Sequence, residues 1–226
     1  MSRGAFIVID GIDGCGKTTQ VGKLEEALKH HRKEVIRARD PGGTYLGEKI
    51  RNILLNPETG DISQRSEFLL FLASRMELLS KVIRPAVEDG MVVLGDRFML
   101  STIVYQGVVG GIGPERVIEI SNWLHGGVCP DLSIFLKVSP EVSMGRTKGV
   151  KDRIESRGDD YVRGLDVAFR DWAPVLGFLE IDGERDEDAV HQEIVSRVLH
   201  VCAKISDAKT NVFGELDRGM RFKSSW

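Results

Sequence analysis

The 226-residue chain is 42% hydrophobic and 29% charged with a net charge of −3, an ordinary globular composition that excludes a disordered or fibrous protein. No apolar run approaches the roughly 18 residues needed to span a bilayer. The mild acidity offers no broad basic footprint for a nucleic-acid polymer, so a small anionic ligand is the partner class left open.

Along the chain, short apolar runs alternate with helical patterns. Strands are expected at Ala5 to Asp10, Glu34 to Ala38, Met91 to Gly95, Leu132 to Val138 and Phe178 to Ile181, the alternation of βαβ units on a mostly parallel sheet. The first run is too short for a signal-peptide core, and a cytoplasmic protein is expected. The clearest helix is Ser66 to Asp89, where Phe68, Leu72, Leu79, Val82, Ile83 and Val87 recur near a helical face. Gly and Pro mark loops at 41–43, 110–114 and 126–127, none of them long enough to act as a linker between domains. The charged, Gly-containing stretch from Arg146 to Arg163 is expected to be mobile. The polar segment from about Ser206 lacks sustained periodicity and is expected to be a largely unpacked tail, leaving one domain over 1–205. Cys15, Cys129 and Cys202 have no CxxC spacing, so neither a disulfide framework nor a zinc site is expected.

Gly11-Ile12-Asp13-Gly14-Cys15-Gly16-Lys17-Thr18 fits GxxxxGK[ST] at every fixed position, between an expected strand and an expected helix. A random chain of this length would match on the order of one time in a hundred. Glycines let successive N–H groups converge on phosphate oxygens at the positive end of the following helix. Lys17 supplies charge for the β- and γ-phosphates, and the Thr18 hydroxyl, followed by Thr19, can complete the oxygen shell of Mg²⁺. The motif predicts binding of a magnesium nucleoside triphosphate on a P-loop NTPase fold: three α/β/α layers, a five-stranded parallel sheet and a mobile lid.

A phosphate loop alone does not separate a transferase from a GTPase, and no NKxD-like guanine-reading motif is present. Asp96 and Arg97 follow an apolar run, so both emerge at a strand's carboxyl end, where open α/β sheets bind ligands. Asp96 can hold Mg²⁺ directly or through water, and Arg97 can fork onto an acceptor phosphate.

Arg39-Asp40-Pro41-Gly42-Gly43-Thr44, Asp96-Arg97-Phe98, Ser101-Thr102 and Tyr105-Gln106-Gly107 resemble, in order, the signatures of the thymidylate kinase family, and the likeness covers roughly residues 5 to 200. The resemblance implies transfer of the ATP γ-phosphate to dTMP by a homodimer. Phe71 and Arg75, spaced i, i+4, share one helix face, where a ring can stack on a planar base and a guanidinium can donate to its carbonyl. In isolation the pair would read as a core ring and a solvated arginine. By the resemblance, Thr102 and Gln106 face the pyrimidine edge, Tyr105 packs on the deoxyribose and Asp13 accepts from its 3′-hydroxyl. Arg39, Arg51 and Arg97 lie near the acceptor phosphate.

Arg146, Lys148, Lys151, Arg153 and Arg157 crowd the expected lid, similar to the bacterial-type arrangement in which the lid supplies a catalytic arginine. Arg153 matches that motif best, Arg146 is placed over the adenine, and Lys17, Arg97 and Arg153 form the expected catalytic set. Residues 181–185 fall where the family's adenine loop would lie. The chain departs from the family in carrying Asp10 and Asp40 where Glu is common, and Phe98 where Tyr or His is frequent. A kinase for another nucleoside monophosphate and a non-catalytic nucleotide-binding regulator are the alternatives.

Overall fold

The structure, a computed structural model, describes residues 3–147 and 152–220, with side chains described as far as Asp207. Among the described residues, strands β1 (Ala5–Asp10), β2 (Val35–Arg39), β3 (Val92–Asp96), β4 (Leu132–Lys137) and β5 (Leu179–Asp182) form one sheet in the order β2-β3-β1-β4-β5. All the pairings are parallel. Every residue of β1 is buried, as expected of a central strand covered by helices on both faces.

The alternation of side chains along β1 divides the core. Ala5, Ile7 and Ile9 point into one layer with Val92 and Leu94, while Phe6 and Val8 point into the other with Val93. Helices α1 (Lys17–His30), α8 (Asp159–Val175) and α9 (Glu187–Met220) close the first layer with Leu24, Leu28, Phe169, Ile194 and Val198. The second layer is closed by α3 (Gln64–Leu78) and α4 (Arg84–Glu88) with Leu78, Leu79, Ile83 and Ala86. Between them, α2 (Tyr45–Leu55) follows β2 and is capped by Thr44, whose hydroxyl accepts from Gly47 N at 2.9 Å.

The helix expected over Ser66 to Asp89 is continuous but not uniform: Leu79–Ile83 is a π-helical turn between α3 and α4. Pro85 begins the next turn. It has no N–H to give to the carbonyl four residues back, and its ring clashes there. The wider turn, with Arg84 N donating to Leu79 O, relieves both faults. A second π-helical segment, Ile103–Val109, follows the short α5 (Met99–Thr102) and carries Tyr105 and Gln106. Next come α6 (Pro114–His125) and, after β4, α7 (Pro140–Arg146), with Pro at the first turn of each.

Four of the five expected strands begin or end one residue from the observed bounds, because hydrogen bonding, not hydropathy, sets the ends. The segment after Ser206, expected to be a largely unpacked tail without helical periodicity, has helical backbone that continues α9 to Met220; residues 221–226 lie outside the described residues. Among the described residues no helix is long and apolar enough to cross a membrane, and all three cysteines are free.

Ile194 on α9 is fully buried against the sheet. Ile194→Ala should cost about 2–5 kcal/mol of unfolding free energy in a urea titration, and a loss under about 1 kcal/mol would show that α9 does not complete the core.

Candidate active site

The parallel register pairs Ile9 of β1 with Asp96 of β3, so the loop after β1 and the loop after β3 leave the sheet side by side. Asp10 ties them together. Its fully buried carboxylate accepts from Gly11 N at 2.9 Å, from Phe98 N at 3.2 Å, and from Ser101 through both N (3.0 Å) and Oγ (2.6 Å). The shorter acid, where the family commonly has Glu, therefore fills every bond that the two loops offer it.

The loop itself is a cradle. Gly11 and Gly14 sit at φ 148° and 73°, and a Cβ on either would stand 2.6 Å from a carbonyl oxygen, Leu136 O or Ser143 O; only glycine closes this turn. Ile12 and Cys15 turn their side chains into the core, so they offer the cleft only backbone. Lys17 opens α1 but curls back, Nζ donating to Gly11 O at 2.9 Å and Ile12 O at 2.8 Å. Thr18 Oγ1 donates to Asp96 Oδ2 at 2.8 Å. Gly14, Gly16, Lys17, Thr18, Thr19 and Asp96 line one open cleft. A hydroxyl and a carboxylate already in contact suit Mg²⁺, which takes hard oxygen donors from one or two side chains and fills its shell from phosphate and water. Among the described residues no cluster of three or more His, Cys, Asp or Glu could hold a metal ion.

Arg97 stands at the junction. Its backbone is left-handed, φ 69°, a conformation that costs a non-glycine residue about 1–3 kcal/mol. Arg97 N donates to Ile9 O at 3.1 Å, which helps to hold it. Its guanidinium donates to Gly11 O and Ser101 Oγ, each at 2.8 Å, and pairs with Asp13. Asp13 also accepts from the Tyr105 hydroxyl at 3.1 Å. Burial alone would raise the Asp13 pKa, but Arg97 and Lys17 nearby, with hydrogen bonds from Arg97 and Tyr105, pull it down to about 2. The side chain remains 40% exposed to the cleft, and an acceptor there stays ionised at neutral pH.

A second pocket adjoins the first and shares Asp13, Asp40, Arg51 and Arg97 with it. Its other walls include Phe71, Arg75, Thr102, Tyr105 and Gln106. All five were expected at a nucleoside site, and α3, α5 and the π-helical segment bring them together. Arg75 is 2% exposed. It pairs through Nε with Asp40 and donates through Nη2 to Phe98 O at 3.1 Å and to Thr102 Oγ1, while its guanidinium lies 5.1 Å from the Phe98 ring centre. Phe98, where the family often has a polar ring, is thus a platform under Arg75. Arg75 Nη1 is buried without a partner among the described residues, a donor held ready for a ligand oxygen.

Arg39 lines the phosphate cleft but is paired with Glu48 at 3.0 and 3.1 Å. Arg51 donates to Pro41 O at 2.9 Å on the wall common to both pockets. Arg146 borders the phosphate cleft and also a neighbouring hollow with Thr19, Gly183 and Arg185, near the segment 181–185 expected at the adenine.

Arg153 differs. Its Nε donates to Leu54 O at 2.8 Å and its Nη2 to Glu67 at 2.5 Å, and Arg157 donates to the same Glu67 oxygen at 2.6 Å. Arg153 does not line the phosphate cleft; the buried carboxylate of Glu67 needs counter-charge and draws both arginines to it. Lys148 and Lys151 lie outside the described residues. Sequence reasoning did not single out Glu67 or the bonds of Asp10. An acid directly before the apolar run Phe68-Leu69-Leu70-Phe71-Leu72 was the available signal for Glu67.

The fold and the glycine cradle are those of a P-loop nucleotide-binding protein, with a second, aromatic-lined pocket adjoining the cradle's cleft. The family profile described as thymidylate kinase matches residues 9–194. The chain is 42% identical over 191 residues to a thymidylate kinase of Thermosipho melanesiensis, covering 84% of this chain and 94% of that one. It is 41% identical over 192 residues to one of Fervidobacterium nodosum, covering 84% and 96%. A thymidylate kinase of Rhodopirellula baltica is 41% identical over 174 residues, covering 77% and 71%. The chain belongs to the thymidylate kinase family.

The Asp13 pKa in the folded state, about 2, lies below the roughly 3.9 of an unfolded aspartate. Its contribution to stability is therefore complete above about pH 4 and is lost as the pH falls through about 2. The stability difference between wild type and Asp13→Asn, followed by chemical unfolding, should shrink over that window; a difference independent of pH would contradict the assignment.

Proposed function

We propose that this chain transfers the γ-phosphoryl group of ATP to dTMP, giving dTDP and ADP for dTTP synthesis, and that it does so across Arg97. The observation that carries this reading is the wall shared by the two pockets, where Arg97 and Asp13 border both the phosphate cradle and the aromatic pocket. An acceptor phosphate and a donor phosphate seated in the two spaces meet at one guanidinium. Phosphoryl transfer asks for alignment and charge neutralisation more than for covalent chemistry.

In this reading the backbone of residues 11–16, Lys17, Thr18 and Thr19 bind the ATP phosphates. Thr18 and Asp96 hold Mg²⁺, which when bound neutralises charge on the β- and γ-phosphate oxygens. Phe71 stacks on thymine, Arg75 donates to its O4, and Thr102 and Gln106 meet its edge. Tyr105 packs against the deoxyribose, leaving little space for a 2′-hydroxyl, and Asp13 accepts from the 3′-hydroxyl. Arg39 and Arg51 join Arg97 at the acceptor phosphate, Arg39 by exchanging Glu48 for it. Arg146 covers the adenine. Arg153 serves the transferring phosphoryl group by exchanging Glu67 for it as the lid over residues 146–163 closes. By family resemblance, the acting unit is a cytoplasmic homodimer of a single kinase domain, residues 1–205.

With Mg-ATP and each of dTMP, dUMP, dCMP, dGMP and AMP, ADP release should give the highest kcat/KM with dTMP, and no release with any of them would contradict the proposal. Arg153→Ala should lower kcat by about 10³-fold or more with little change in KM for ATP. Unchanged turnover would remove Arg153 from the transfer step.

A further inference from the structure

Glu67 is a fully buried acid on α3, one turn before Phe71. Its two oxygens divide their work. Oε2 accepts from Arg153 and Arg157, at 2.5 and 2.6 Å, and Oε1 accepts from Gln106 Nε2 at 3.0 Å. Guanidinium groups hold donors only, so a carboxylate between two of them has only acceptors to offer, and it can engage Gln106 only through the amide's NH₂ side. The polarity of that amide is thereby fixed by chemistry.

Gln106 is 1% exposed and lines the aromatic pocket. One N–H of Nε2 is held by Glu67, so the amide is turned with Oε1 as its acceptor for a ligand, and Oε1 accepts no hydrogen bond from the described residues. The same pocket holds the unpartnered Arg75 Nη1. The pocket therefore offers a ligand the Gln106 Oε1 acceptor and the Arg75 Nη1 donor, with Asp40 Oδ1, unpartnered among the described residues, a further acceptor on its wall beside Arg75. A 4-keto pyrimidine presents the matching pair, an N3–H donor beside the O4 acceptor; a 4-amino pyrimidine presents N3 as acceptor beside an amino donor and mismatches both. Buried polar groups left unpaired penalise the wrong ligand heavily.

We infer that Glu67 is a specificity-setting positioning residue: by orienting the Gln106 amide, it makes the acceptor pocket select 4-keto over 4-amino pyrimidine nucleotides. The inference rests on the reading of that pocket as the pyrimidine site. Glu67→Gln puts an amide that can also donate opposite Gln106, which frees Gln106 to turn over.

The test compares kcat/KM for dTMP, dCMP and dUMP in wild type, Glu67→Gln, Gln106→Met and the double variant. The dTMP-to-dCMP ratio should fall about tenfold or more in Glu67→Gln, while the dTMP-to-dUMP ratio, which reports on the 5-methyl contact, stays within about twofold. A purely structural role would lower all three substrates together. The double variant should lose no more of the dTMP-to-dCMP ratio than Gln106→Met alone, since both changes break one interaction. A wild type without preference for dTMP over dCMP defeats the kinase reading. A wild-type preference that Glu67→Gln keeps intact defeats this inference alone. If Glu67→Gln does not fold, a crystal structure of the wild type with dTMP decides: Gln106 Nε2 on Glu67 and Oε1 within about 3.2 Å of N3 support the inference, and N3 bonded to any other group overturns it.

Discussion

The buried carboxylate of Asp10, at the end of the central strand, is the interaction on which the site depends. Strand register sets the phosphate loop and the Asp96-Arg97 loop next to each other, but adjacency alone would leave both turns floppy. Asp10 spans them with four hydrogen bonds, to Gly11, Phe98 and twice to Ser101. Its oxygens are fully paired at zero exposure, so removing the carboxylate would leave several buried donors unsatisfied at once, each costing about 1–3 kcal/mol. The strained backbone of Arg97 is tolerable because this network surrounds it, and the strain aims the guanidinium at the wall between the two pockets.

Charge is managed by pairing in the same way around the cleft. Arg97 leans on Asp13, Arg39 on Glu48, Arg75 on Asp40, and Arg153 with Arg157 on Glu67. Uncompensated, so many cations around one small space would repel one another and favour an open chain. In the proposed reading, these carboxylates keep cations in reserve for an arriving phosphate or base carbonyl. The differences in burial set how freely each can be exchanged. The Arg39–Glu48 pair is about half exposed and is weak, whereas Arg75–Asp40 is almost wholly buried and is a fixed element of the pocket.

Much of this was legible in the sequence because it is local. The cradle and its flanking strand and helix follow from spacing within one or two elements, whereas the i, i+4 pair Phe71 and Arg75 reads as a site only with the family resemblance beside it. What escaped is what the chain assembles from afar. Glu67 meets Gln106 at a separation of 39 residues and Arg153 at 86, distances over which periodicity carries no signal. The π-helical segment that presents Tyr105 and Gln106 was likewise hidden, since its hydrophobic pattern differs little from that of an α-helix over so short a run. The continuation of α9 to Met220 escaped because the segment was read as an aperiodic polar tail, although Val212, Phe213, Leu216 and Met220 recur at helical spacing.

The central claim is that one wall, built on Arg97 and Asp13, joins two nucleotide pockets end to end. It is tested most directly by calorimetric titration with a single molecule in which adenosine and thymidine are linked through a phosphate chain. The account predicts that this compound binds about 10²–10⁴-fold tighter than either nucleotide alone, because the second pocket is filled as an intramolecular event, and that it displaces both. Affinity no greater than that of ATP by itself would contradict it.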